Sequence, residues 1–182
     1  MTSAFDRAFK RLVGVEGGFS NDPSDTGGAT KYGITEAVAR DHGYMGDMAS
    51  LPLDTAKAIA KAQYWDLLML DQIAQISDDI AEELFEIGYN MGTARAGRFL
   101  QIVLNIFNRR GTLFSDVKVD GVVGPRTVAA LRRYIGLRGV SGELVAMRAL
   151  NSLQGAAYID LAQKREKDED FVYGWILKRV QT

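Results

Sequence analysis

Glu16, Asp25 and Thr30 are the residues of this chain whose types and spacing can do chemistry. Glu16 closes a stretch in which Phe5, Phe9, Leu12 and Val13, with Ala8, recur at helical spacing. It falls four residues after Leu12 and three after Val13, so it continues the apolar face rather than the wet one. A carboxyl there is costly unless it stays protonated or finds partners, and the negative end of the helix dipole also disfavours its charge. A carboxyl protonated near neutral pH is what a general acid requires. Gly17 and Gly18 then end the helix and open a Gly-rich loop that carries Asp25 and reaches Thr30. Asp25, in polar surroundings, stays ionised and can stabilise positive charge or activate water, and Thr30 can orient that water. Asp25 has a second reading, because an Asp in Asp-Pro-Ser-Asp-Thr-Gly-Gly also bonds nearby backbone and builds the turn. Asp22 is a weaker rival for either role.

The run from Glu16 to Thr35, Glu-Gly-Gly-Phe-Ser-Asn-Asp-Pro-Ser-Asp-Thr-Gly-Gly-Ala-Thr-Lys-Tyr-Gly-Ile-Thr, resembles the signature of glycoside hydrolase family 108. That family comprises phage and bacterial N-acetylmuramidases in which the Glu of Glu-Gly-Gly is catalytic, so the resemblance assigns that role to Glu16. The spacing of Glu16, Asp25 and Thr30 is also similar to the Glu/Asp/Thr constellation of phage-type lysozymes. Phe19 and Thr26 depart from the residues common in relatives. Asn90, in Gly-Tyr-Asn-Met-Gly, resembles the family's Asn-x-Gly segment followed by Leu100-Gln101; an Asn there equally serves as a hydrogen-bonding hub. Tyr32, Tyr64 and Trp65 can stack on sugar rings, although packing the core is the commoner fate of any one of them. Asp120-Gly-Val-Val-Gly-Pro-Arg-Thr127 resembles the Asp-Gly-x-x-Gly-Pro-x-Thr segment of peptidoglycan-binding modules. Gly, Pro and Thr at a helix start form the same pattern without any ligand.

Helices must position these groups. Ser3 with Asp6 reads as a capping pair for the first. Thr35 caps a short helix through Arg40, ended by Gly43, and Asp54 caps another running to Tyr64-Trp65. Ser77 opens a helix with Asp78 and Asp79 at its positive end and Ile80, Leu84, Ile87 and Met91 on one face. Past Gly92, a further helix carries Ala96, Leu100, Val103, Leu104 and Phe107. Residues 111–124 read as a loop or short hairpin. Pro125 begins a helix to Tyr134, and Ser141 begins a long one to about Lys164. The charged run from Lys164 to Asp170 reads as a solvated helix end, followed by Phe171-Val-Tyr-Gly-Trp175. Helical periods dominate, so the expected fold is mainly α, a lysozyme-like helical fold with a Gly-rich active-site loop. The expected division is a catalytic region over 1–110 and a peptidoglycan-binding region over 111–182, the latter packed into the same domain or standing apart.

Composition bounds the rest. The 182 residues carry 22 basic and 23 acidic side chains, so the net charge of −1 gives no sign of nucleic-acid binding. Acidic residues outnumber basic ones over 1–110 and the reverse holds over 111–182. With no Cys and one His, a zinc site is close to excluded, and no metal or organic cofactor is implied. His42, in Asp-His-Gly, suits a helix-end or surface role. No apolar run reaches the length of a membrane span; Phe99 to Phe107 is interrupted by Gln101 and Asn105. Asp6, Arg7, Lys10 and Arg11 exclude a secretory signal peptide at the start.

These readings lead to a hydrolase that cleaves the N-acetylmuramic acid–N-acetylglucosamine bond of bacterial peptidoglycan. The resemblance implies a phage or prophage endolysin, made in the cytoplasm without a signal peptide and acting in the periplasm or cell wall, with an export partner such as a holin. Two alternatives stand beside it. A lytic transglycosylase needs one Glu and no Asp25; a non-catalytic wall-binding or secretion-associated protein needs neither.

Overall fold

The computed structural model describes residues 2–16, 18–20 and 28–180; the side chains of Val15 and Glu16 lie outside that description. The fold is mainly α, consistent with a lysozyme-like fold. Helix α1 spans Ala4–Glu16. The amide of Asp6 donates to Ser3 Oγ at 3.1 Å and that of Ser3 to Asp6 Oδ2 at 3.2 Å, which closes the capping pair read from sequence. Lys57 bonds Asp6 as well and, with Ser3, holds its carboxyl down at about 2. Phe5, Ala8, Phe9 and Leu12 all point into the core, as their spacing requires.

Strands β1 (Phe19–Ser20), β2 (Thr30–Lys31) and β3 (Ile34–Thr35) form a small antiparallel sheet in that order. Thr35 then caps α2 (Glu36–Asp41) by accepting from the Val38 amide, and His42 ends that helix with Nδ1 2.9 Å from Val38 O. Helix α3 (Leu53–Ala60) starts after Pro52, so Asp54 sits inside the first turn and does not cap it. One wide π-helical turn, Lys61–Trp65, follows before α4 (Leu70–Ala74). Such a turn re-aims the side chains it carries. Helix α5 (Asp78–Met91) is capped by Ser77, which accepts from Ile80 N at 3.0 Å. Ile80, Leu84 and Ile87 on its apolar stripe are fully buried. Gly92 separates it from α6 (Thr93–Phe107).

Residues 108–124 form an irregular loop. Helix α7 (Pro125–Lys164) follows and is broken at Gly139, where φ is 58°. The two parts correspond to the two helices expected from Pro125 and Ser141. Helix α8 (Glu169–Arg179) was not anticipated: its turns hide behind the charged run. Arg165 pairs with the buried Asp168, at 2.6 Å from Nε, so part of that run is structural rather than solvated. Trp175 packs on Tyr158 (5.2 Å between ring centroids) and Phe171, which folds α8 back on α7.

The core is continuous from α1 to α7. It centres on Trp65, Phe85, Leu84 and Ile87 and extends through Leu100 and Leu104 to Leu131, Tyr134 and Leu150. Phe107 and Tyr134 stack at 6.0 Å between α6 and α7. No helix among the described residues is long and apolar enough to cross a membrane.

Candidate active site

Helix α1 delivers Glu16 as its last residue, one turn beyond the buried Leu12, or about 6 Å along the axis. The sheet begins just past it. Ser20 pairs with Thr30 and Phe19 with Lys31, so Thr30 lies opposite a residue only four positions beyond Glu16. Thr30 Oγ1 approaches Gly28 O at 3.4 Å, a long contact that leaves the hydroxyl able to turn to another partner. Asp25 and Asp22, with the rest of 21–27, lie outside the described residues, as does the side chain of Glu16.

Tyr32 occupies the turn between β2 and β3 with φ 54°. Its carbonyl accepts a hydrogen bond from the Tyr89 hydroxyl of α5 at 2.5 Å. The ring of Tyr89 lies so close to Gly33 that a Cβ there would come within 2.5 Å of Cε1, and φ at Gly33 is 74°. Glycine is required on both counts. Tyr64, carried by the π-helical turn, packs on Tyr89 at 4.7 Å, and burial raises the pKa of its hydroxyl. Tyr32, Tyr64 and Tyr89 therefore tie the sheet to the middle of the molecule.

Trp65 goes elsewhere. It is 0% exposed, edge-on to Phe5 and Phe85, and its Nε1 donates to Asp71 at 2.7 Å. Its ring belongs to the core and presents no face for a sugar. Asn90, next to Tyr89, donates from Nδ2 to Glu86 O at 3.0 Å, a bond within its own helix.

Asn90 also opens onto a cavity of about 370 Å³ between α1, α5, α7 and α8. Arg11 and Leu12 line it from α1, and Glu83 and Glu86 from α5. Burial, and then the charge of Glu86, push the Glu83 carboxyl up to about 8, against the opposing effects of Asn151 and Arg11. Glu83 Oε1 is buried without a hydrogen-bond partner. This carboxyl escaped the sequence reading although its signal was present. In Ile80, Glu83, Leu84, Ile87 it fills an apolar position of a helical stripe, which is the argument that singled out Glu16.

The loop over 108–124 is held by amides of α6. Gln101 Oε1 accepts from Gly121 N at 2.8 Å, while its Nε2 donates to Asp120 Oδ1 and Val122 O, both at 3.0 Å. Asn105 closes a two-way bond with Val117, and Asn108 bonds Asp116 and Gly111. A Cβ on Gly97 would lie 2.3 Å from Gly121 O, so α6 and the loop touch backbone to backbone. The residues that interrupt the apolar run from Phe99 to Phe107 are thus the ones that grip the loop.

Comparison with known proteins finds two matched regions that meet near Gly92. Residues 9–92 match the family model Glycosyl hydrolase 108, and residues 95–180 match Predicted Peptidoglycan domain. The two matches agree with the resemblances of the segments at 16–35 and 120–127. The two regions support a peptidoglycan hydrolase of the glycoside hydrolase class. Among solved structures, SagA of Brucella abortus is similar in fold, with a TM-score of 0.65 at 22% identity over 98% of this chain and 96% of that one. No curated protein gives a significant match.

Proposed function

We propose that the protein is an N-acetylmuramidase that cleaves the N-acetylmuramic acid–N-acetylglucosamine bond of peptidoglycan. Glu16 protonates the leaving oxygen, Asp25 activates water or stabilises the oxocarbenium-like centre, and Thr30 orients the water. Tyr32, Tyr64 and Asn90 contact the glycan, and the region from 111 onward holds the wall. The enzyme is made in the cytoplasm and acts in the periplasm or cell wall after release through a partner such as a holin, as an endolysin does.

The observation that carries this reading is local. A helix with a buried face ends at Glu16, and the sheet that follows sets Thr30 opposite Ser20. Acid and hydroxyl thereby belong to one short structural unit, inside the region that matches the hydrolase family.

Digestion of purified peptidoglycan with product mass spectrometry tests it. Reducing N-acetylmuramic ends are expected; anhydro ends would replace hydrolysis by transglycosylation. Glu16→Gln keeps shape and removes the transferable proton, so the rate should fall by roughly 10²–10⁴-fold. Near wild-type turnover in a folded Glu16→Gln protein would end the assignment.

A further inference from the structure

The cavity beside Asn90 is not explained by cleavage of a glycan alone. Its volume of about 370 Å³ suits a small ligand group. Its walls come from both matched regions, α1 and α5 on one side and α7 and α8 on the other. Its polar lining has two signs. Glu83 and Glu86 face it from α5, whereas Arg148 and Lys178 stand exposed at its rim from α7 and α8. Neither rim cation has a carboxylate partner among the described residues. Glu83 keeps one buried oxygen unpartnered, and an unsatisfied buried carboxyl is a cost that a bound donor would remove.

We propose that this cavity is a subsite for a short peptide bearing both an ammonium and a carboxylate, the ammonium against Glu83 and Glu86 and the carboxylate against Arg148 and Lys178. The assignment rests on the peptidoglycan reading, since the peptide half of that polymer supplies such groups beside the glycan. Leu12 lines the cavity one turn before Glu16, so a peptide seated here lies next to the end of α1. An arriving ammonium favours the ionised form of Glu83, whose carboxyl is otherwise held protonated by burial and by Glu86. Binding should therefore release a proton below about pH 8 and tighten as pH rises toward it. The other charged groups facing the cavity are Arg11 from α1, Asp79 and Glu82 from α5, and Arg179 from α8, of which Arg11 and Glu82 pair with each other at 3.0 Å.

The test is calorimetry with N-acetyl-Ala-Lys-Ala, whose only charges are one ammonium and one carboxylate. Two analogues accompany it, one with norleucine in place of lysine and one with a C-terminal amide. Each analogue should bind about tenfold more weakly than the parent, the scale of one lost charge-assisted bond. Glu83→Gln should weaken the lysine peptide but not the norleucine one, and should abolish the pH dependence. Arg148→Met should weaken the carboxylate but not the amide. Equal binding of parent and norleucine peptides, or no saturable binding at about 10 mM to the folded wild type, would overturn the subsite. Failure of the hydrolase reading looks different: the tripeptide would bind while purified peptidoglycan stayed intact.

Discussion

Two irregular segments lie beside helices in this molecule, and they are fixed by different means. The turn at Tyr32-Gly33 leans on α5 through one phenol and one ring. The loop over 108–124 is gripped by Gln101 and Asn105 of α6 and by Asn108 at the C-cap of that helix. An amide both donates and accepts, so three of them at successive turns satisfy backbone and side-chain groups over the whole loop. A phenol donates once. The first segment, next to the proposed chemistry, meets α5 through one side chain, Tyr89, and the second is held by a network of amides.

Gln101→Leu should show the largest effect on stability. It removes three hydrogen bonds at a buried site and orphans the Gly121 amide and the Val122 carbonyl, a loss on the order of 3–5 kcal/mol in urea unfolding. A loss below about 1 kcal/mol would mean that the loop does not depend on this network. Gly33→Ala comes next. The methyl meets the Tyr89 ring and the backbone stays at positive φ, so about 2–3 kcal/mol and part of the lytic activity should go.

Glu83 tests the seam between the two regions. Its carboxyl rises from 4.5 to about 8 on folding, so the folded chain keeps a proton that the unfolded chain has lost. Stability should therefore fall as pH climbs through that window, with the whole penalty present above it. Glu83→Gln stays neutral and should flatten the decline, gaining on the order of 2 kcal/mol at about pH 9 and little at about pH 5. Parallel unfolding curves at the two pH values would refute the buried, protonated state. Tyr89→Phe should be mildest, about 1 kcal/mol for one hydrogen bond, with a fall in turnover greater than the fall in melting temperature would suggest. Equal effects of Tyr89→Phe and Gln101→Leu would erase the contrast between tether and network.

Much of this organisation is readable before any coordinates. Ser3 with Asp6, Thr35 and Ser77 announce helix starts because a side-chain oxygen two or three residues before an apolar stripe has one common use. The breaks at Gly92 and before Ser141 are equally plain. Trp65 was legible as either sugar platform or core; only the position of Phe5 and Phe85 around it decides, and that is a tertiary fact. Asp54 shows the limit of capping rules: with Pro52 at the N-cap, the acid falls within the first turn. Helix α8 was hidden because its face is half-exposed and its aromatic spacing is short. Gln101 and Asn105 read as flaws in an apolar run, since their partners lie up to 21 residues away along the chain.

The break at Gly139 also bears on how this chain tolerates change in length. Adding or removing one residue inside an α-helix turns everything beyond it by about 100°, which would swing Leu131 or Leu150 out of the core. Residues 136–141 are exposed, and across them the Tyr134 hydroxyl donates to Gly142 O at 2.8 Å. An insertion at this exposed joint lets each part of the helix keep its own phase. The two halves of α7 are thus free to drift in register relative to one another while each keeps its own grip on the core, so length variation within this helix is best accommodated at this one joint.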